Sequence, residues 1–337
     1  MNQITSVTTR NRLPPVLRGL RLPVVASPMF IISTPDLVIA QCTAGIVGSF
    51  PALNARDEPG GPVMLERWLQ QITEALDRHN QANPDHPAAP FAVNQIVHRS
   101  NGRLDRDVEI CARWKVPIWI TSLGARPEVN EAAHSCGGIT LHDVINNRFA
   151  RKAVEKGADG LIAVAAGAGG HAGPVNPIAL VGEIRQWFDG PLLLSGAIST
   201  GRGILAARAM GADLAYIGSP FIATEEANAV ADYKQMIVEG GADDIVTSSI
   251  FTGVSGNYLK PSIARTGLDP DNLPQTSTDM SFADGDSAKP KAWKEVWGSG
   301  QGIGAVRAVL PARALVDRLA GEYATAKAEL AADLAAE

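Results

Sequence analysis

The sequence predicts a closed (β/α)8, or TIM, barrel carrying a smaller, mostly helical and irregular substrate domain. Three observations predict it. Short apolar runs, rich in β-branched residues, recur eight times before residue 220. Each is followed, after Gly, Pro, Ser or Asn, by an amphipathic stretch, the alternation that builds a parallel sheet with crossover helices. After the eighth run the rhythm stops, and a polar, Pro/Asp/Ser-rich stretch follows. Open doubly wound sheets usually hold about five to seven strands, so eight units argue for closure.

The strand runs are residues 22–27, 45–49, 91–96, 117–121, 138–142, 159–164, 191–195 and 213–217. Helical periodicity falls between them at 35–44, 65–79, 105–114, 127–135, 146–157, 177–188 and 203–210. Residues 50–64 and 79–90, rich in Pro, Asn, Asp and His, read as solvated loops around the second helix. One further helix is expected over 225–240, and the Ala/Glu/Lys/Leu tail to residue 337 favours helix. The expected division is a barrel over 1–220, completed by 298–337, with a substrate or cap domain over 221–297.

Composition narrows the partners. Thirty Lys and Arg against 35 Asp and Glu give a formal charge of −5 with no dense basic cluster, so a small molecule rather than nucleic acid is expected. No apolar run reaches the roughly 18 residues that span a bilayer. Arg10, Arg12, Arg18 and Arg21 precede the first acidic residue, Asp36, but Pro14 and Pro15 and the adjoining strand make this an ordinary N-terminal arm. With no secretory segment and three widely spaced cysteines, Cys42, Cys111 and Cys136, a reducing cytoplasm is expected. No His or Cys spacing suits a metal.

Barrel ligands sit at the C-terminal ends of strands, so the residues after each run are informative. They are Ala26, Ser27, Pro28 and Met29; Asn94 and Gln95; Ser122; His142 and Asp143; the loop Gly167-Ala168-Gly169-Gly170-His171-Ala172-Gly173; Ser195, Gly196 and Ala197; and Gly218 and Ser219. The last two groups have the smallness of a barrel phosphate site, where backbone N–H groups and a helix start hold an anion. In the glycine loop only His171 carries a functional side chain, and a neutral imidazole there can take or give a proton. His142 either joins the ligand site or bonds a neighbouring loop. His79, His86, His98 and His134 fall in or beside polar segments and are expected to be solvated.

These residues resemble the nitronate monooxygenase family, formerly the 2-nitropropane dioxygenases. Pro23-Val24-Val25-Ala26-Ser27-Pro28-Met29, the Asn94 strand, the His171 loop, Ser195-Gly196-Ala197-Ile198 and Ile217-Gly218-Ser219-Pro220-Phe221-Ile222-Ala223-Thr224 carry the similarity, with a late glycine-rich return at Gly298-Ser299-Gly300-Gln301-Gly302. The resemblance implies an FMN-dependent oxidoreductase using O2 on alkyl nitronates or nitroalkanes. His171 would be the catalytic residue. Ala26 to Met29, Asn94, His142, Gly169 and Gly170 would lie along the cofactor, with Ser195, Gly196, Ala197, Gly218 and Ser219 at its phosphate. The best characterised class carries Gln and Glu before the Ala-Gly-Gly-His, where this chain has Val164, Ala165, Ala166 and Gly167. The same barrel serves NAD(P)H-dependent quinone reductases and flavin-dependent enoyl reductases, so those activities are the alternative. A dehydrogenase of the inosine-monophosphate type would need a cysteine in the sixth loop, which this chain lacks.

Overall fold

All eight apolar runs become parallel strands of one sheet. In the computed structural model, which describes residues 12–61, 63–273 and 294–336, they are β1 (Val24–Ala26), β2 (Gly48–Pro51), β3 (Phe91–Ile96), β4 (Ile118–Ser122), β5 (Ile139–Val144), β6 (Gly160–Val164), β8 (Leu192–Ser195) and β9 (Leu214–Ile217). A two-residue β7 (Gly170–His171) interrupts the loop after β6. The strand order β1-β9-β8-β6-β5-β4-β3-β2 leaves β1 and β2 as neighbours, and Ala26 N–H donates to the Val47 carbonyl at 2.8 Å. The sheet therefore closes into a barrel.

Strand pleating sends alternate side chains to opposite faces, and this decides what fills the barrel. Val25, Val47, Ala92, Ile118, Ile120, Leu141, Ile162 and Leu193 point inward and form one buried cluster, joined by Leu17 from the N-terminal arm. Their outward neighbours, among them Val93 and the fully buried Trp119, pack beneath the helices. Burying one such side chain stabilises the fold by roughly 1.5–3 kcal/mol.

The helices α1 (Pro35–Thr43), α2 (Met64–Ala82), α3 (Leu104–Arg113), α4 (Pro127–Ser135), α5 (Asn147–Glu155), α6 (Pro177–Arg185) and α7 (Gly201–Ala209) start where the chain supplies a stop. Asn146, Asn176 and Thr200 accept first-turn N–H groups of α5, α6 and α7 at 2.9–3.0 Å. Pro35, Pro127 and Pro177 occupy first-turn positions that need no N–H.

After β9 the chain makes only the short α8 (Ser219–Ile222) before leaving the barrel. The helix expected over 225–240 is shorter, α9 (Ala231–Glu239), because Glu225 N–H is taken by the Leu310 carbonyl and Asn228 N–H by that of Ile32. The appended region adds strands β10 (Ile245–Ser248) and β11 (Gly256–Leu259) and helix α10 (Lys260–Ala264). Residues 1–11 of the N-terminal arm and 274–293 of the expected cap lie outside the described residues. The long α11 (Ala312–Ala336) packs against α7 and α1 in the place of an eighth barrel helix. A Cβ on Gly201 would stand 2.1 Å from the Tyr323 nitrogen, so only glycine admits this approach. Among the described residues no helix is long and apolar enough to cross a membrane.

Candidate active site

The C-terminal strand ends surround a cavity of about 880 Å3. Ser27, Pro28, Met29 and Asn94 line it from β1 and β3, Gly169, Gly170 and His171 from the glycine loop, and Ser195, Gly196, Ala197, Gly218 and Ser219 from the last two strand ends. Of the residues expected with them, Ala26 lies elsewhere and His142 reaches the cavity from a different face. Ala26 is wholly buried among Leu22, Val24, Ile217 and Leu315, because the pleat that turns Val25 inward turns Ala26 toward the helices. His142 borders the cavity from the outer face of β5, since Leu141 and Asp143 take the inner face.

The glycine-rich loops are stitched together. The Gly167 carbonyl accepts from Ala197 N–H at 3.2 Å and Gln301 N–H at 3.0 Å, and Gly300 N–H donates to Ser219 Oγ at 2.9 Å. A Cβ on Gly169 would come within 2.8 Å of the Gly300 nitrogen, which is why the loop is bare there. Ala197 sits at φ +53°, a left-handed conformation that costs a non-glycine residue on the order of 1 kcal/mol and is typically retained where function requires it.

His171 is placed by the appended region. It pairs with Gly256 across an antiparallel ladder β10-β11-β7, while Ala172 N–H donates to the Ser255 carbonyl. Its Nε2 lies 3.0 Å from Thr252 Oγ1. The Thr252 hydroxyl also reaches the Val254 carbonyl at 3.1 Å, which fixes it beside the ring. Burial lowers the imidazole to about 4, leaving it neutral at pH 7.

The strand-end residues Asn94, Ser122 and Asp143 join in one polar group across β3, β4 and β5, a linkage that strand-end position alone does not reveal. Asn94 Nδ2 donates to the Ile120 carbonyl and to Ser122 Oγ at 2.8 Å, and Ser122 passes its own proton to Asp143 Oδ2 at 2.5 Å. Asp143 lines the cavity, and its Oδ1 has no partner among the described residues. Burial pushes its carboxyl up to about 7, against the opposing pull of Ser122, so it holds a proton under mildly acidic conditions. Only the inward phase of a strand end distinguishes Asp143 from an ordinary turn residue, and that phase is hard to read before the pleat is known.

Asp143 makes stability depend on pH in a definite direction. A carboxyl whose pKa is raised on folding contributes most below its unfolded value, near 3.8, and loses that contribution as pH rises toward 7. The Asp143→Asn variant should therefore gain stability relative to wild type between pH 5 and pH 7. Urea midpoints of both proteins at the two pH values check this; a gap that stays constant or narrows contradicts it.

The loop over 50–64, expected to be decoration, also holds the site. Asn54 Nδ2 donates to the carbonyls of Met29 and Ser33, and its Oδ1 accepts Ile31 N–H, fixing the loop that carries Met29.

Comparison with known proteins agrees with this geometry. The profile of the nitronate monooxygenase family matches residues 16–322. A nitronate monooxygenase from Paraburkholderia phytofirmans is 25% identical over 304 residues, covering 79% of this chain and 81% of that protein. A (3aS,4S,5R,7aS)-5-hydroxy-7a-methyl-1-oxo-octahydro-1H-indene-4-carboxyl-CoA dehydrogenase from Rhodococcus jostii is 24% identical over 250 residues, and the match spans 74% of this chain and 66% of that protein, just under two thirds. Among solved structures, FabK from Thermotoga maritima superposes with a TM-score of 0.74 at 22% identity, covering 96% of this chain and 99% of the other. The chain belongs to the nitronate monooxygenase family.

Proposed function

We propose that the protein is an FMN-dependent oxidoreductase that oxidises alkyl nitronates with O2. The observation that carries this reading is the division of the cavity. Small residues and backbone form one side, and the single histidine of the glycine loop is presented over it from the appended region. A wall built from Gly169, Gly170, Gly196 and Gly218 fits a flat ring better than a branched ligand. The name of the Paraburkholderia relative supports the substrate class.

Gly196, Ala197, Gly218, Ser219 and Ser195 would hold the phosphate of FMN, and Ser27, Pro28, Met29, Asn94, Gly169 and Gly170 would border its ring. Bound FMN supplies the electron transfer, which no side chain in the cavity can perform. His171 remains neutral and holds the nitro group of the substrate, oriented by Thr252. Ser122 and Asn94 fix Asp143 on the barrel floor. Residues 221–297 form the substrate domain.

Releasing the flavin by denaturation and identifying it chromatographically tests the cofactor. FMN is expected, because the two small-residue strand ends make one phosphate site; FAD, or no flavin after reconstitution, overturns the assignment. NAD(P)H-dependent reduction of quinones or enoyl thioesters is the rival outcome, measured as consumption of NADH or NADPH with those acceptors.

A further inference from the structure

The cavity extends beyond the barrel interior. Its lining continues over the ends of β4 and β5 to α5, where Lys152, Ala153 and Lys156 border it. The side chain of His142 forms part of this arm and is only 6% exposed. Its Nδ1 lies 2.5 Å from Thr121 Oγ1, and no described group bonds Nε2. Thr121 has no other acceptor among the described residues, so its hydroxyl donates to Nδ1. The ring proton is therefore on Nε2, which no described protein group accepts, on a residue that lines the cavity.

Lys152 and Lys156 stand four residues apart and so share one face of α5. Lys156 Nζ donates to the Ala125 carbonyl at 2.7 Å and retains two further N–H groups. Among the described residues the lysine ion pair is Lys260 with Asp271, and neither lysine of the arm is neutralised in this way. Glu128, at the start of α4, senses the charge of Lys156 only as the smallest of its influences. The remaining walls include Leu123, Ile145 and the partly exposed Phe149.

We propose that this arm is a second ligand site, taking an oxyanion, carboxylate or phosphate, carried on an apolar stem. Lys152 and Lys156 supply the charge and His142 Nε2 a hydrogen bond, while Leu123, Ile145 and Phe149 receive the stem. Arm and barrel mouth belong to one cavity, so a ligand anchored here by its anionic end can extend its stem toward His171. The site does not depend on the flavin assignment, and its test does not use activity.

The full-length protein as purified is titrated calorimetrically with decanoate and, separately, with inorganic phosphate. In parallel the His142 Hε1 resonance, assigned with a His142→Asn variant, is followed by NMR. Decanoate is expected to bind and to move the His142 signal. The double variant Lys152→Met/Lys156→Met should bind it about tenfold or more weakly, and Lys152→Arg/Lys156→Arg should stay within about threefold of wild type. Flavin content should be the same in all three proteins. Phosphate that displaces decanoate also supports the site, and equal affinity for the two identifies a free anion rather than a substrate's own group as the occupant. Unchanged decanoate affinity in the methionine variant, a stationary His142 signal, or binding of neither probe overturns the proposal.

Discussion

His171→Asn is expected to retain its FMN and to lose turnover by about 10² to 10⁴, the range typical for a side chain that handles a proton or its hydrogen bond in the transition state. Retention follows from the proposed division of the site, in which small residues and backbone would face the cofactor while the imidazole is positioned by β11 and Thr252. The imidazole, lowered to about 4 by burial, is too weak a base at pH 7 to remove a nitroalkane proton efficiently. Turnover of neutral nitroalkane and of pre-ionised nitronate should therefore fall together in the variant. Steady-state rates on both substrates check this. Collapse on the nitroalkane alone would make His171 the base, and near wild-type rates on both would make it structural. The wild-type rate should also show no inflection from His171 between pH 5 and pH 8, because this group titrates below that window.

Gly218→Asp is expected to weaken FMN retention by about 100-fold or more while the barrel stays folded, since like charges placed together cost several kcal/mol. The new Cβ would meet only side chains, Ser27 Cβ at 3.3 Å and Met29 Sδ at 3.6 Å, so steric damage is small. Gly218→Ala tests that point directly and should keep its flavin. Gly196→Asp should behave like Gly218→Asp, although its Cβ stands 3.1 Å from the Ala166 carbonyl. Flavin content and far-ultraviolet circular dichroism report cofactor and fold separately. Full flavin in either aspartate variant would move the phosphate elsewhere.

Strand existence was legible because apolar period and glycine punctuation are local signals, and each of the eight runs overlaps its strand. Side-chain direction at strand ends was less so. Ala26 and Ser27 are adjacent, yet one packs under the helices and the other lines the cavity; His142 and Asp143 both line it, from opposite faces of β5. One residue of pleat phase decides each case. The partners of His171 were invisible for another reason. Thr252 and Gly256 lie about 80 residues away, and their pairing is set by tertiary packing, not by local pattern. Asn54 sits in a segment whose composition signals only a loop, while its three hydrogen bonds to the Met29 loop depend on the closed barrel.

On the proposed function, electrons enter this protein from a nitronate. Mixing the flavin-loaded protein with an alkyl nitronate in the absence of oxygen, and recording its visible absorbance, tests that claim most directly. Loss of the oxidised-flavin absorbance with nitronate and its return on admission of air are expected, with His171→Asn bleaching far more slowly. Absorbance unchanged by nitronate but lost on addition of NADH or NADPH would contradict it.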